Sequence, residues 1–141
     1  MRPAASRAPW AKDGIPFNDG AIETTLNLGV TLLEMGRLDE AETELRRAYT
    51  AQKILGGSRS LTTLNAMGNL AVLLCEQGRY DEARELHHET LDGLRELVGP
   101  EHLSVGQGLL NLGVVEHDTA DHVLAEELTR EGLRILRLNL P

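Results

Sequence analysis

The pentapeptide LNLGV occupies Leu26 to Val30 and returns at Leu110 to Val114, with GNLAV midway at Gly68 to Val72. Its Asn falls at 27, 69 and 111, so 69 − 27 = 111 − 69 = 42 residues. A fixed period between about 20 and 50 residues marks an array of stacked units, each too small to bury an apolar face alone. The same shift aligns MGRLDEAE (Met35–Glu42) with QGRYDEAR (Gln77–Arg84), and Leu55-Gly56-Gly57-Ser58 with Leu97-Val98-Gly99-Pro100. A second shift brings Ala125 under Ala83 and Ala41, and Leu112 under Leu70 and Leu28.

Each unit divides into two helices. In the second, the spacing predicts helix A from Ser60, a ready N-cap, to Gln77, with Gly78 ending it in a left-handed turn. Helix B follows from Tyr80, with Asp81 and Glu82 in the first turn where acids suit the helix dipole, and stops at Val98 before Gly99-Pro100. The first unit reads as Asp19–Met35 and Leu38–Leu55, the third as His102–His117 and Asp121–Leu138. Residues 1–18, broken by Pro3, Pro9 and Pro16, read as a flexible leader. The repeat domain then covers 19–141, with units of about 19–59, 60–101 and 102–138. Gly29, Ala71 and Gly113 form one small-residue column and Ala41, Ala83 and Ala125 another, as closely packed helices require, with Leu28, Leu70 and Leu112 filling the space beside the first.

Charge and composition narrow the function. A formal net charge of −8 opposes nucleic acid and anionic membrane surfaces as the main partner, and no basic run of five residues offsets it. Cys75 is the only cysteine, so no intrachain disulfide forms; inside AVLLCEQ it reads as a small buried residue in a reducing, cytoplasmic setting. No apolar run approaches the roughly 18 residues of a membrane span. Residues 1–12 carry Arg2, Arg7 and Lys12 without an acid, a faint transit-peptide composition in a stretch that reads better as an ordinary leader.

Helix A with LNLGVTLLEMG, followed by GRLDEAE and the two small columns, resembles the tetratricopeptide repeat. The 42-residue period departs from that family's usual 34 and is similar to its kinesin-light-chain-like subclass, most closely over Gly68–Ser104. The third unit departs furthest: Ala120 replaces the turn Gly, Val123-Leu124 replace Asp-Glu, and Glu116 stands where Leu32 and Leu74 are apolar. The resemblance implies an all-α, right-handed α-solenoid of three helix-turn-helix repeats. Its helices A line the concave face.

Helix arithmetic places the Asn column on that face. Glu34 lies seven residues from Asn27, at about 700° or −20°, so the two share a stripe. The stripe expected to hold ligand is Glu23, Asn27, Val30 and Glu34, then Asn65, Asn69, Val72 and Glu76, then Gln107, Asn111, Val114 and Asp118. Asn offers both a donor and an acceptor to the backbone of an extended chain, and the resemblance implies a peptide-binding Asn ladder. The alternative is that each Asn bonds a neighbouring helix and sets register. The acids favour a basic or neutral peptide. Many family members clamp an acidic C-terminus with Lys and Arg, which these positions lack.

Nothing in the pattern points to catalysis, a cofactor or a metal. His117, Asp118, Asp121 and His122 cluster at a turn, but without the spacing of a metal motif, and the adjacent His87 and His88 face different ways. Leu133, Leu136 and Leu140 recur near the C-terminus beside Ile135 and Leu138, with Arg134 and Arg137 able to cover them by their stems. An apolar edge there fits a longer array, a homodimer or a docking surface. The reading is therefore a non-enzymatic protein-binding adaptor, with self-assembly through the C-terminal helix as the alternative.

Overall fold

The computed structural model describes residues 18–141, and all their regular structure is helical. The leader expected over 1–18 and the transit-like composition of 1–12 lie outside the described residues, Asn18 apart. Six helices follow: α1 Asp19–Glu34, α2 Leu38–Gly56, α3 Leu61–Glu76, α4 Tyr80–Val98, α5 Leu103–Asp118 and α6 His122–Leu138. Side chains start four of them. Asn18, Ser60, His102 and Asp121 accept hydrogen bonds from the backbone N–H groups of Ala21, Thr63, Ser104 and Leu124, each satisfying one of the donors that a helix start leaves unpaired. The turns after α1 and α3 pass through Gly36 and Gly78 at φ of 75° and 77°. After α5, Ala120 takes the same left-handed conformation at φ 67°, although its Cβ resists it.

Helices pack in sequence order, α1 on α2, α2 on α3, and so on to α6. The A helices also touch across repeats, α1 with α3 and α3 with α5, whereas the B helices make no comparable contacts with one another. The A helices therefore line the shorter, inner arc of the solenoid. The small columns sit where the chain predicts close approach. A Cβ on Gly29 would lie 2.7 Å from Leu45 Cδ2 and 3.2 Å from its backbone N, and one on Gly113 would lie 2.8 Å from Thr129 Oγ1. Ala41, Ala71 and Ala83 are fully buried.

One expectation needs correction, and one departure gains a partner. Leu70 and Leu112 are buried, but Leu28 is 48% exposed. Its column is filled only where a preceding B helix packs on it, and among the described residues no helix precedes α1. Glu116 is not a mere departure from an apolar column. It is buried and held by Arg84 of α4, so the third repeat is bonded to the second through an ion pair rather than a leucine.

Candidate functional site

Three cavities run along the inner face and share their boundary residues. The first, about 520 Å³, is lined by Glu23, Leu26, Gln52 and Asn65 among others. The second, about 410 Å³, shares Leu26 and Asn65 with it and adds Asn69, His87, Gln107 and Asn111. The third, about 210 Å³, shares His87 and Asn111 and adds Val72, Cys75, Glu76 and Val114. Together they form one trough across the A helices.

Helical periodicity explains this grouping, because residues three, four and seven apart fall on one face. Of the stripe expected from the sequence, the trough brings together Glu23, Asn65, Asn69, Val72, Glu76, Gln107, Asn111 and Val114. The other four lie apart from these cavities. Asn27 and Glu34 are exposed, and Val30 packs on the core around Leu32 and Leu45. Asp118 accepts a long contact from Cys75 Sγ at 3.9 Å and lies 3.5 Å from His117 Nδ1.

The amides in the trough are largely uncommitted. Gln107 Nε2 donates to Asn111 Oδ1 at 3.3 Å along α5. Among the described residues, the side chains of Asn27, Asn65 and Asn69 bond no other protein group, so none ties a neighbouring helix in register.

His87 lines the trough and was not among the residues expected there. It projects from α4 beneath the trough, is 2% exposed, and its Nε2 is buried with no hydrogen-bond partner among the described residues. Burial, with a smaller effect from His88, pushes its pKa down to about 4, so the imidazole is neutral near pH 7. The signal was available in the columns: 87 − 42 = 45, where Leu45 stands.

The repeats are joined by polar contacts on the turns. Glu42 of α2 accepts from Gln77 Nε2 and Arg79 Nη1, each at 3.0 Å, and pairs with Arg46 at 2.7 Å. The Gln77 bond foremost, and then both arginines, hold its carboxyl down to about 2 against the opposing effect of burial. At the next junction the charges exchange sides, with Arg84 on α4 and Glu116 on α5.

The thiol of Cys75 is unsuited to nucleophilic work. Burial, then the nearby charges of Asp118 and Glu76, push its pKa up to about 11, so the reactive thiolate is scarce at neutral pH. His117 and His122 meet edge to face at 5.2 Å. Among the described residues, no three His, Cys, Asp or Glu side chains gather as a metal site, and no helix is long and apolar enough to cross a membrane. A further cavity of about 560 Å³ opens on the α5–α6 edge, lined by Val114, His117, His122, Ala125 and Leu133 among others.

Comparison with known proteins gives two findings. The family model of the tetratricopeptide repeat matches residues 20–76 and 62–137. Among solved structures, BtubC (BKLC) from P. vanneervenii superposes with a TM-score of 0.76 at 24% identity, over 89% of this chain and 50% of that one. The chain thus spans about half the length of that relative, and the likeness carries the fold. No curated protein matches the chain significantly.

Proposed function

The chain belongs to the tetratricopeptide repeat family, and from that membership we propose that its trough captures an extended peptide of basic or neutral character. Repeats of this family are generally protein–protein interaction modules and typically non-enzymatic. The observation that carries the finer reading is the run of three cavities sharing rungs, with Asn65, Asn69 and Asn111 along it. Asn65 and Asn69, without protein partners, and Asn111, bonded only within its own helix, supply donors and acceptors for a ligand's backbone whatever its side chains. Glu23 and Glu76, at opposite ends of the run, with Glu34 and Asp118 beyond it, attract Lys or Arg, and the net charge of −8 steers such ligands inward.

Selection from a random peptide library displayed on phage tests this. Enrichment of Lys and Arg, with affinity falling as salt rises, is the expected outcome. Enrichment of acidic sequences, or no selection above background, removes the proposal.

One observation favours self-association as a second reading. At the first junction Arg79 bonds Glu42. Counting by 42, Arg37 stands at the equivalent of Arg79 on the α1 side, and Glu126 at the equivalent of Glu42 on the α6 side. A second copy docking head to tail would bring Arg37 to Glu126, beside the apolar cavity that Val114 and Leu133 line. Sedimentation decides it: a concentration-dependent mass that Arg37→Glu abolishes supports the contact, and a monomer at all concentrations sinks it.

A further inference from the structure

The cavity of about 560 Å³ on the α5–α6 edge has the form of a seat for an A helix. Val114, His117, His122, Ala125 and Thr129, which line it, stand two periods, 84 residues, after Val30, Leu33, Leu38, Ala41 and Leu45. Those five pack in one core with Leu70 and Leu73 of α3, the A helix of the next repeat.

The matching ridge lies on α1. Leu28, Thr31 and Met35 stand where α3 carries Leu70, Leu73 and Gln77, and where α5 carries Leu112, Val115 and Thr119. The aliphatic residues of α3 and α5 in this set are buried in the cores shared with the preceding repeat, whereas Leu28 and Met35 are 48% and 61% exposed. Thr31 is exposed as well, and its hydroxyl already donates to Asn27 O at 2.9 Å, so covering it strands no donor.

Charge selects the occupant. The two junctions inside the chain have opposite polarity: Glu42 meets Arg79 at the first, and Arg84 meets Glu116 at the second. The third repeat ends as the first does, with Glu126 pairing with Arg130 at 2.7 Å as Glu42 pairs with Arg46 at 2.7 Å. Such a face calls for an arginine at the place of Arg79. Arg37 holds that place in the first repeat, and Asp121 in the third. Arg37 also pairs with Glu40 at 2.7 Å just as Arg79 pairs with Glu82 at 2.8 Å, so only the cross-repeat partner differs.

We propose that the first repeat of a second copy docks on this seat, and that the contact completes a peptide site which neither copy holds alone. The inference rests on the self-association reading and extends it to the ligand. Asn69 and Asn111 line one cavity from either side of the α3–α5 junction, as do Asn65 and Gln107. Across the new junction Asn111 of one copy and Asn27 of the next stand in that same relation, and so do Gln107 and Glu23. Asn27 is exposed, and its side chain bonds no described protein group. Assembly makes it a rung, and the trough runs on from copy to copy. Each added copy brings another seat, so the contact is heterologous and the assembly open-ended. A peptide spanning the junction touches both copies, and binding and assembly then strengthen each other by the same factor.

Sedimentation velocity on the whole chain tests this, with and without a Lys-containing peptide from the phage selection. Arg37→Glu and Glu126→Arg should each weaken association roughly tenfold or more, and the double variant Arg37→Glu/Glu126→Arg should recover most of it. Saturating peptide should tighten wild-type association by about tenfold or more. Asn27→Ala should associate like the wild type without peptide and lose that tightening. Circular dichroism confirms the helices of every variant. A monomer at all concentrations, with and without peptide, overturns the shared site and the self-association together. A double variant as weak as either single variant overturns the seat. Association that peptide leaves unchanged, or tightens equally in Asn27→Ala, overturns the shared site and leaves self-association standing. Association with no peptide bound at any protein concentration overturns the shared site and the trough reading, and leaves the head-to-tail contact.

Discussion

Arg84 of α4 holds Glu116 of α5 with Nε to Oε1 at 2.6 Å and Nη2 to Oε2 at 3.2 Å. The Glu116 side chain is 4% exposed and that of Arg84 is 32% exposed. The two ends of this pair are therefore unequal. Arg84→Ala strands a buried carboxylate and is expected to cost about 3–5 kcal/mol. Glu116→Leu restores the residue type of Leu32 and Leu74 and lets Arg84 turn outward to Asp81, its partner at 3.1 Å, so it should cost clearly less. Urea denaturation of both variants measures the order, and the reverse order would contradict the buried-carboxylate account.

The fold was legible because periodicity is a property of one line of letters. Asn27, Asn69 and Asn111 announce the interval, and Gly29 with Gly113 announce the close helix contact. The pairing of Arg84 with Glu116 was not legible, since column comparison registers Glu116 as a departure and says nothing of a guanidinium 32 residues away. Leu28 misled for a related reason: its column means burial only where a B helix precedes it. Of the trough, the stripe from Asn65 to Glu76 and from Gln107 to Val114 follows from helical spacing. Asn27 and Val30 part from it because cavities form between rungs, at junctions that spacing along one helix does not describe.

The turn at Ala120 carries backbone strain that its counterparts Gly36 and Gly78 avoid. Ala120→Gly removes the Cβ from a left-handed residue, and the gain of about 1–2 kcal/mol is partly offset by the greater freedom of glycine in the unfolded chain. A net gain of about 1 kcal/mol, or a rise in Tm of about 3 °C, is expected by calorimetry. A lower Tm would mean that the methyl group contributes contacts outweighing the strain.

His87 should make stability fall with acid in a defined window. Its pKa drops from 6.5 to about 4 on folding. Above pH 6.5 both states are neutral there and it has no effect. As pH falls from 6.5 towards 4 the unfolded chain takes up the proton first, so stability is lost, by up to about 3 kcal/mol, and the loss is complete below pH 4. Glu42 acts lower: its contribution is present above pH 4.5 and is lost as pH falls towards 2. His87→Leu, which inserts the residue of the first repeat, should flatten the upper window while leaving the lower one. Urea midpoints between pH 7 and 4 measure it, and an unchanged slope in the variant would place the titrating group elsewhere.

The proposed peptide capture turns on the amides in the trough. The most direct measurement is the Kd, by fluorescence polarisation, of one library-selected Lys-containing peptide for the wild-type chain and for Asn69→Ala/Asn111→Ala, with circular dichroism confirming the helices. These two residues line the central cavity, and Asn69 bonds no described protein group. Losing two or more ligand hydrogen bonds should weaken binding roughly tenfold or more while the melting curve stays in place. An unchanged Kd in a folded double variant would contradict capture by the Asn ladder.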